Sequence, residues 1–435
     1  MLLEFKVSNF MSIKDEVRVS CIANTATEHE ENVYPYGKDR ILPTLAFYGY
    51  NAAGKSNIFK ALTTAILFVR NSNLMQINTL IKTTPFLLDE GSRKNPTKMD
   101  FVFVSKGKKY NYGFEITAKE VILEYLYEYE SSRPSMIFER KKEEYNFTTQ
   151  NSKELEAYKE KNTSNKLFLC TATAWNCQLT KNAFLWFAES IDIYDSGAFN
   201  DNQILDYLDA NQDNEETKGF LLDVFKRTDF NISDYVFESK AMQDMNVVLP
   251  PGITLDQSIL DQMKINSKEF KFDALHNVKD EEGNEMDYPI SYPFESKGTK
   301  MMIAYAPIIK KALELGRIIV VDELDNSLHP LLTNYLIKLF VDKRINKNGA
   351  QLIFNSHDTN LLDSELLRRD QIYLVKKDES GQTRIGNLYE YKARRTDNFR
   401  KSYFNGKYIC LPKIKDGIDW QFIKWLHRIW LFFVI

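Results

Sequence analysis

Hydrophobic positions alternate from the first residues of the chain. Leu3, Phe5 and Val7 share one face, and Val17, Val19 and Cys21 repeat the period of two after a polar break, which predicts a β-hairpin over 1–22. Residues 41–48 (ILPTLAFY) form a continuous apolar run instead, the pattern of a strand buried on both faces. A glycine-bounded turn follows, and NIFKALTTAILFVR then takes helical spacing. Paired strands are expected at 99–104 and 110–117, and a hairpin over 121–147 around Ser132-Arg133-Pro134. Polar stretches at 152–162 and 177–228 read as helical, with an acidic patch from Asp201 to Glu216, and 253–266 reads as one more helix. Strands resume over 268–294 around Glu281-Glu282-Gly283-Asn284. From 298 the pattern is helix, strand at 318–321, helix at 331–342, strand at 351–354, then helix and strand at 371–375. Apolar strands alternating with helices predict a parallel sheet covered on both faces.

Composition narrows the class. With 435 residues, 43 % of them apolar, the chain has material for a large core, which excludes disorder and small disulfide scaffolds. Lys and Arg number 57 against 60 Asp and Glu, so a strongly basic nucleic-acid wrapper is excluded while a local basic groove is not. Cys21, Cys170, Cys177 and Cys410 form no CxxC pair, which argues against a zinc ribbon and fits a reduced, cytoplasmic setting. The amino terminus carries acids early and no continuous apolar core, so no secretory signal is expected, and no stretch is long enough for a membrane span.

One motif carries specific chemistry. Gly49-Tyr50-Asn51-Ala52-Ala53-Gly54-Lys55-Ser56 fits G-x-x-x-x-G-K-[ST] between a buried strand and a helix, the context a phosphate loop requires. Backbone N–H groups and the helix N-terminus would cradle a phosphate, Lys55 would reach the β- and γ-phosphates of ATP, and Ser56 would hold Mg²⁺. Asn57 opens the following helix. The strand at 318–321 ends in Asp322-Glu323, carboxylates at the end of the sheet where ligands bind. Asp322 would hold Mg²⁺ and Glu323 would act as general base on water. Asp322 lies 267 residues after Lys55, more than a compact domain needs, so a segment is inserted between them.

Flanking segments choose the class of nucleotide hydrolase. Ser296-Lys297-Gly298-Thr299 opens an apolar helix and could form a second anion cradle, or Ser296 could be a helix cap alone. Asp325 follows the two acids, His329 precedes the helix-starting Pro330, and His357 stands just past the strand at 351–354. This order resembles the ABC-ATPase head. The resemblance implies an α/β fold with a P-loop in a mixed, largely parallel sheet, an antiparallel β lobe and a mainly helical insertion. It implies a head-to-head homodimer or higher oligomer around ATP and Mg²⁺, with Ser296, Lys297, Gly298 and Thr299 acting in trans, Asp325 at the seam and His357 as switch histidine. The signature turn lacks the second glycine and the glutamine of transporter heads, which argues against transport. Gln76 is a candidate Q-loop residue.

A narrower resemblance rests on residues 294–301, 322–330, 351–363 and 367–375, together with 166–169 and 403–412. These are similar to the stand-alone ATPases of bacterial abortive-infection and anti-phage loci, the RloA- and AbiL-type relatives of the OLD family. That resemblance implies a cytosolic ATPase serving as sensor or scaffold for a separate effector, often a Toprim-type nuclease, with a phage-encoded trigger possible in such loci. The domains expected are 1–150 and 268–412 as two lobes of the head, 151–267 as a mainly helical insertion and 413–435 as a tail. No metal cluster or paired-acid nuclease motif follows His357. The basic residues from Arg368 to Lys407, interleaved with Tyr389, Tyr391, Phe399, Tyr403 and Phe404, read as a solvated face, an effector-docking surface or a phosphate-backbone groove for DNA or RNA. The aromatic stretch from Trp420 to Ile435 reads as a helix packed on the body, or as a partner-docking or membrane-surface helix. The rival readings are a RecF- or SMC-like DNA-maintenance ATPase and a module in which ATP only joins two copies.

Overall fold

A computed structural model describes residues 1–130, 133–148, 150, 152–194, 207–228, 230–241, 268–362, 365–394 and 396–408. Leu2–Ser8 (β1) and Val17–Ser20 (β2) pair antiparallel, as the opening alternation predicts. Tyr34–Tyr36 (β3) and Asp39–Ile41 (β4) form a small ribbon before the buried strand Thr44–Tyr48 (β5). Lys55–Asn71 (α1) follows the glycine turn, and Glu90–Lys94 (α2) comes after it. Thr97–Ser105 (β6), Lys108–Ile116 (β7), Val121–Tyr129 (β8), Pro134–Lys141 (β9) and Glu144–Phe147 (β10) complete a seven-stranded antiparallel sheet in the order β10-β9-β8-β7-β6-β1-β2.

Next come Ser152–Lys159 (α3), Phe168–Ala174 (α4), Gln178–Glu189 (α5), Ile191–Tyr194 (β11) and Glu215–Arg227 (α6). Ile232–Ala241 (β12), Lys268–Lys279 (β13) and Glu285–Ser291 (β14) form a separate three-stranded sheet. The chain then runs through Lys297–Leu315 (α7), Ile318–Val321 (β15), Pro330–Val341 (α8), Gln351–Asn355 (β16), Ile372–Lys377 (β17), Thr383–Asn387 (β18) and Phe399–Phe404 (α9). The second large sheet has the order β11-β15-β16-β5-β17-β18 and is parallel except for the last pair.

The apolar run of β5 is explained by burial on both sides. Leu45 and Phe47 enter the core shared with the antiparallel sheet, α1, α4 and α5, whereas Ala46 and Tyr48 enter the core under α7 and α8. In the first core Trp186 stacks on Phe103 with ring centroids 4.4 Å apart, and Phe187 meets Phe101 edge-on at 5.1 Å.

The middle stretch, expected as a mainly helical insertion, also holds the strands Ile191–Tyr194 and Ile232–Ala241. Helices α4 and α5 pack into the first core, and Ile191–Tyr194 pairs in parallel with β15. A four-residue strand bordered by helix is too short to show a period, which is why 177–228 reads as helix throughout. The buried Glu124 carboxylate accepts the N–H groups of Phe168 and Leu169 at 2.6 and 2.9 Å, which pins the start of α4 to β8. Burial pushes the Glu124 carboxyl above the usual carboxylate range, and the nearby Arg140 guanidinium opposes that. The helix expected at 253–266, the tail at 413–435 and much of the acidic patch lie outside the described residues.

Part of the late basic stretch is interior. Arg368 is fully buried between Asp370 and the carbonyls of Ala26 and Glu28, and Arg369 pairs with Glu28 at 2.7 Å. Phe399 and Tyr403 are core residues as well, so these four do not form a docking face. A pattern of alternating charge and aromatic residues does not distinguish an outer face from a clamp between two strands, because arginine buries its stem and pairs its head. Cys21, Cys170 and Cys177 are buried and free, and no described helix is long and apolar enough to cross a membrane.

Candidate active site

Three neighbouring strands of the parallel sheet end at one cleft of about 780 Å³. β5 delivers the glycine loop, β15 delivers Asp322 and Glu323, and β16, lying between them, delivers Asn355 and His357. This is the carboxyl end of the sheet, where the strand order brings loops together around a crevice.

The loop takes its shape from two glycines. A Cβ on Gly49 would lie 2.2 Å from the Val375 carbonyl oxygen, so only glycine lets β17 run this close. Gly54 has φ +107° and caps α1, and a Cβ there would meet Thr383 Oγ1 at 2.0 Å. Asn51, Ala52, Ala53, Gly54, Lys55, Ser56 and Asn57 line the cleft, while Gly49 sits behind it. The Lys55 ammonium donates to the Gly49 carbonyl at 2.7 Å. Burial pulls its pKa below the usual lysine range, against the raising effect of Asp322, Glu323 and Asp325. Asn57 Nδ2 donates to Ser12 Oγ at 2.6 Å, and Ser12 meets Thr383 Oγ1 at 2.7 Å, so the turn between β1 and β2 and the strand β18 brace the loop from outside.

Ser56 Oγ donates to Asp322 Oδ1 at 3.2 Å. A hydroxyl and a carboxylate side by side at the mouth of a phosphate loop are hard oxygen donors of the kind Mg²⁺ takes, with water and phosphate supplying the rest. Three carboxylates also border the loop, and a triphosphate would need a cation between itself and them. Glu323 has φ +60°, an uncommon conformation for a side chain of this kind, and its N–H is held by Asn355 Oδ1 at 2.8 Å. Asp325 Oδ2 accepts the N–H groups of His357 and Asp358 at 3.2 and 3.1 Å. Glu323, Asp325, Asn326 and His357 all line the cleft.

The signature turn is elsewhere. Ser296 caps α7, accepting from the Thr299 N–H at 3.1 Å, and none of Ser296, Lys297, Gly298 and Thr299 is among the residues lining the cleft. A Cβ on Gly298 would lie 3.3 Å from the Ser327 carbonyl, so the turn abuts the loop that carries Asp325. His329 caps α8 through Nδ1 ahead of Pro330, a structural place. Gln76 is exposed, gives only its carbonyl to Asn165, and lines neither this cleft nor the adjoining cavity beside Ser56 and Asp322, where Lys82, Thr83 and Thr84 stand instead.

Sequence reasoning missed Asn355, Ser12 and Thr383, and it read Lys377, which lines the cleft, only as part of the late basic stretch. Asn355 stood in the quoted strand end beside His357, and a polar residue closing a buried strand was its signal. Ser12 and Thr383 come from distant segments, and nothing local marks them.

A family model described as "AAA domain, putative AbiEii toxin, Type IV TA system" matches residues 45–363. No curated protein matches. Among solved structures, the chain is similar to an SMC head domain from Thermotoga maritima at 14 % identity and TM-score 0.40, covering 89 % of this chain and 98 % of that one. An SMC head bound to the C-terminal winged-helix domain of ScpA is similar at 12 % identity and TM-score 0.46, covering 90 % and 99 %.

Proposed function

The chain belongs to the AAA family described as putative AbiEii toxin of type IV toxin–antitoxin systems, and from that premise we propose that it is an ABC-type P-loop ATPase, the ATP-hydrolysing subunit of a bacterial anti-phage defence locus. In this reading two copies close head to head around ATP, in the cytoplasm, and the nucleotide state sets whether a separate effector, such as a Toprim-type nuclease, is held or released. The observation that carries the hydrolytic part is the convergence of Lys55, Ser56, Glu323 and His357 on one cleft, with Asp322 in the adjoining cavity and hydrogen-bonded to Ser56 at 3.2 Å. The defence role rests on the resemblance to RloA- and AbiL-type ATPases.

The chemistry follows from the placement. The loop amides and Lys55 hold the phosphates, and Ser56 and Asp322 would hold Mg²⁺, which when bound would supply charge neutralisation to the phosphates. Glu323 takes a proton from water as the water oxygen bonds to the γ-phosphorus and the bond to the β–γ bridging oxygen breaks, releasing ADP and phosphate. His357 faces the γ-phosphate. Ser296, Lys297, Gly298 and Thr299 of the partner subunit close the site, with Asp325 along the seam.

The test is an ATPase assay with a pull-down. Glu323→Gln should lower turnover at least about a hundredfold while retaining ATP. The tagged Glu323→Gln chain, captured with ATP from a cell carrying its native locus, should bring down a nuclease-like protein. Unchanged turnover sinks the hydrolytic assignment, and capture of DNA with no protein partner moves the reading to DNA maintenance.

A further inference from the structure

We propose that Asn355 is the positioning residue that fixes the geometry of the Asp322–Glu323 pair, an inference that rests on the hydrolytic reading of those two acids. The side chain is completely buried at the end of β16, between the two strands whose loops carry the phosphate site and the acids. Its two polar atoms have different tasks. Nδ2 donates to Asp322 Oδ1, the same oxygen that receives the Ser56 hydroxyl. Oδ1 accepts the Glu323 N–H at 2.8 Å, and the Asn355 carbonyl accepts the Leu324 N–H at 3.1 Å. Three consecutive residues, 322 to 324, are therefore tied to this one asparagine.

The chemistry requires a carboxamide. A carboxylate accepts only, and a hydrophobic side chain does neither; a carboxamide carries a donor for the Asp322 carboxylate and an acceptor for the Glu323 N–H on two separate atoms. The donated hydrogen bond orients the Asp322 oxygens relative to Ser56. The accepted bond holds Glu323 in its left-handed backbone conformation, φ +60°, which otherwise costs free energy. The residue touches neither phosphate nor water in this scheme and acts through its neighbours, as outer-shell partners of metal ligands do.

The test compares Asn355→Leu, which keeps the volume and loses both bonds, with Asn355→Ala and the wild-type chain. Two quantities are read: turnover, and binding of a fluorescent ATP analogue with EDTA and across a Mg²⁺ titration. Binding in EDTA should stay within about twofold, turnover should fall at least about tenfold, and the Mg²⁺ concentration that half-saturates the metal-dependent tightening should rise about tenfold. Leu and Ala should behave alike, since packing is not the cause. A Leu variant with turnover and Mg²⁺ dependence within twofold of wild type overturns the proposal, as does equal weakening of binding with and without Mg²⁺, the mark of a merely structural residue. If Glu323→Gln retains full turnover, the hydrolytic reading fails separately, and the Mg²⁺ titration still decides the Asp322 half of the clamp.

Discussion

Asp325 and His357 are tied across two adjacent strands: the Asp325 carboxylate accepts the His357 backbone N–H at 3.2 Å, and that of Asp358 at 3.1 Å through the same oxygen. Asn355 runs the opposite way, from the second loop back to Asp322 and Glu323. The two loops are laced reciprocally, each held by a side chain of the other. Asp325 Oδ1 is buried with no hydrogen-bond partner among the described residues, which leaves Oδ2 to do all the accepting. Asp325→Asn retains such an oxygen and should keep turnover within about threefold, whereas Asp325→Ala should lower it about tenfold. Steady-state hydrolysis decides, and equal damage from both changes refutes the lacing.

Gly54 combines a left-handed backbone with contact against Thr383. Gly54→Ala should cost about 1–3 kcal/mol of local strain and abolish nucleotide binding. Adding Thr383→Ala removes the clash but not the strain, so it should restore only part of the loss. Thermal melting and ATP titration of the two variants check this; full rescue by Thr383→Ala makes crowding the whole cause.

The signature turn lies off its own cleft, so a trans arrangement predicts complementation. Lys55→Ala and Ser296→Arg should each be inactive alone. Mixed, they should recover about a quarter of wild-type turnover, because half the dimers are mixed and each holds one intact composite site. No recovery on mixing, with both variants folded, argues for a cis role or for none.

Glu28 supplies a pH-dependent term away from the cleft. Burial works against its charge, but the Arg369 guanidinium and backbone N–H groups outweigh burial and hold its pKa at about 2, down from the ordinary 4.5. A depressed carboxylate adds stability above its unfolded pKa and loses it as pH falls, so the loss should run from about 4.5 down to about 2. Arg369→Ala should flatten that part of an acid-unfolding curve; an unchanged curve removes the pair from the account.

Strand periods, the glycine loop, the acid pair and the histidine were legible because each depends on neighbours a few residues away. The hairpin of β1 and β2, the buried β5 and the Ser296 cap follow from local spacing and hydrogen bonding. Local chemistry also says that Lys55 and Ser56 suit phosphate and metal. It does not say which carboxylate Ser56 meets, because Asp322 is brought there by parallel pairing of β15, β16 and β5. The interior place of Arg368 and the strand at Ile191–Tyr194 depend on partners more than a hundred residues away. Asn355 looks like any polar residue at a strand end until the neighbouring strand sets two acids against it. A side chain's chemistry is local to its residue, but its partner is chosen by packing across the sheet, and only the folded chain supplies that.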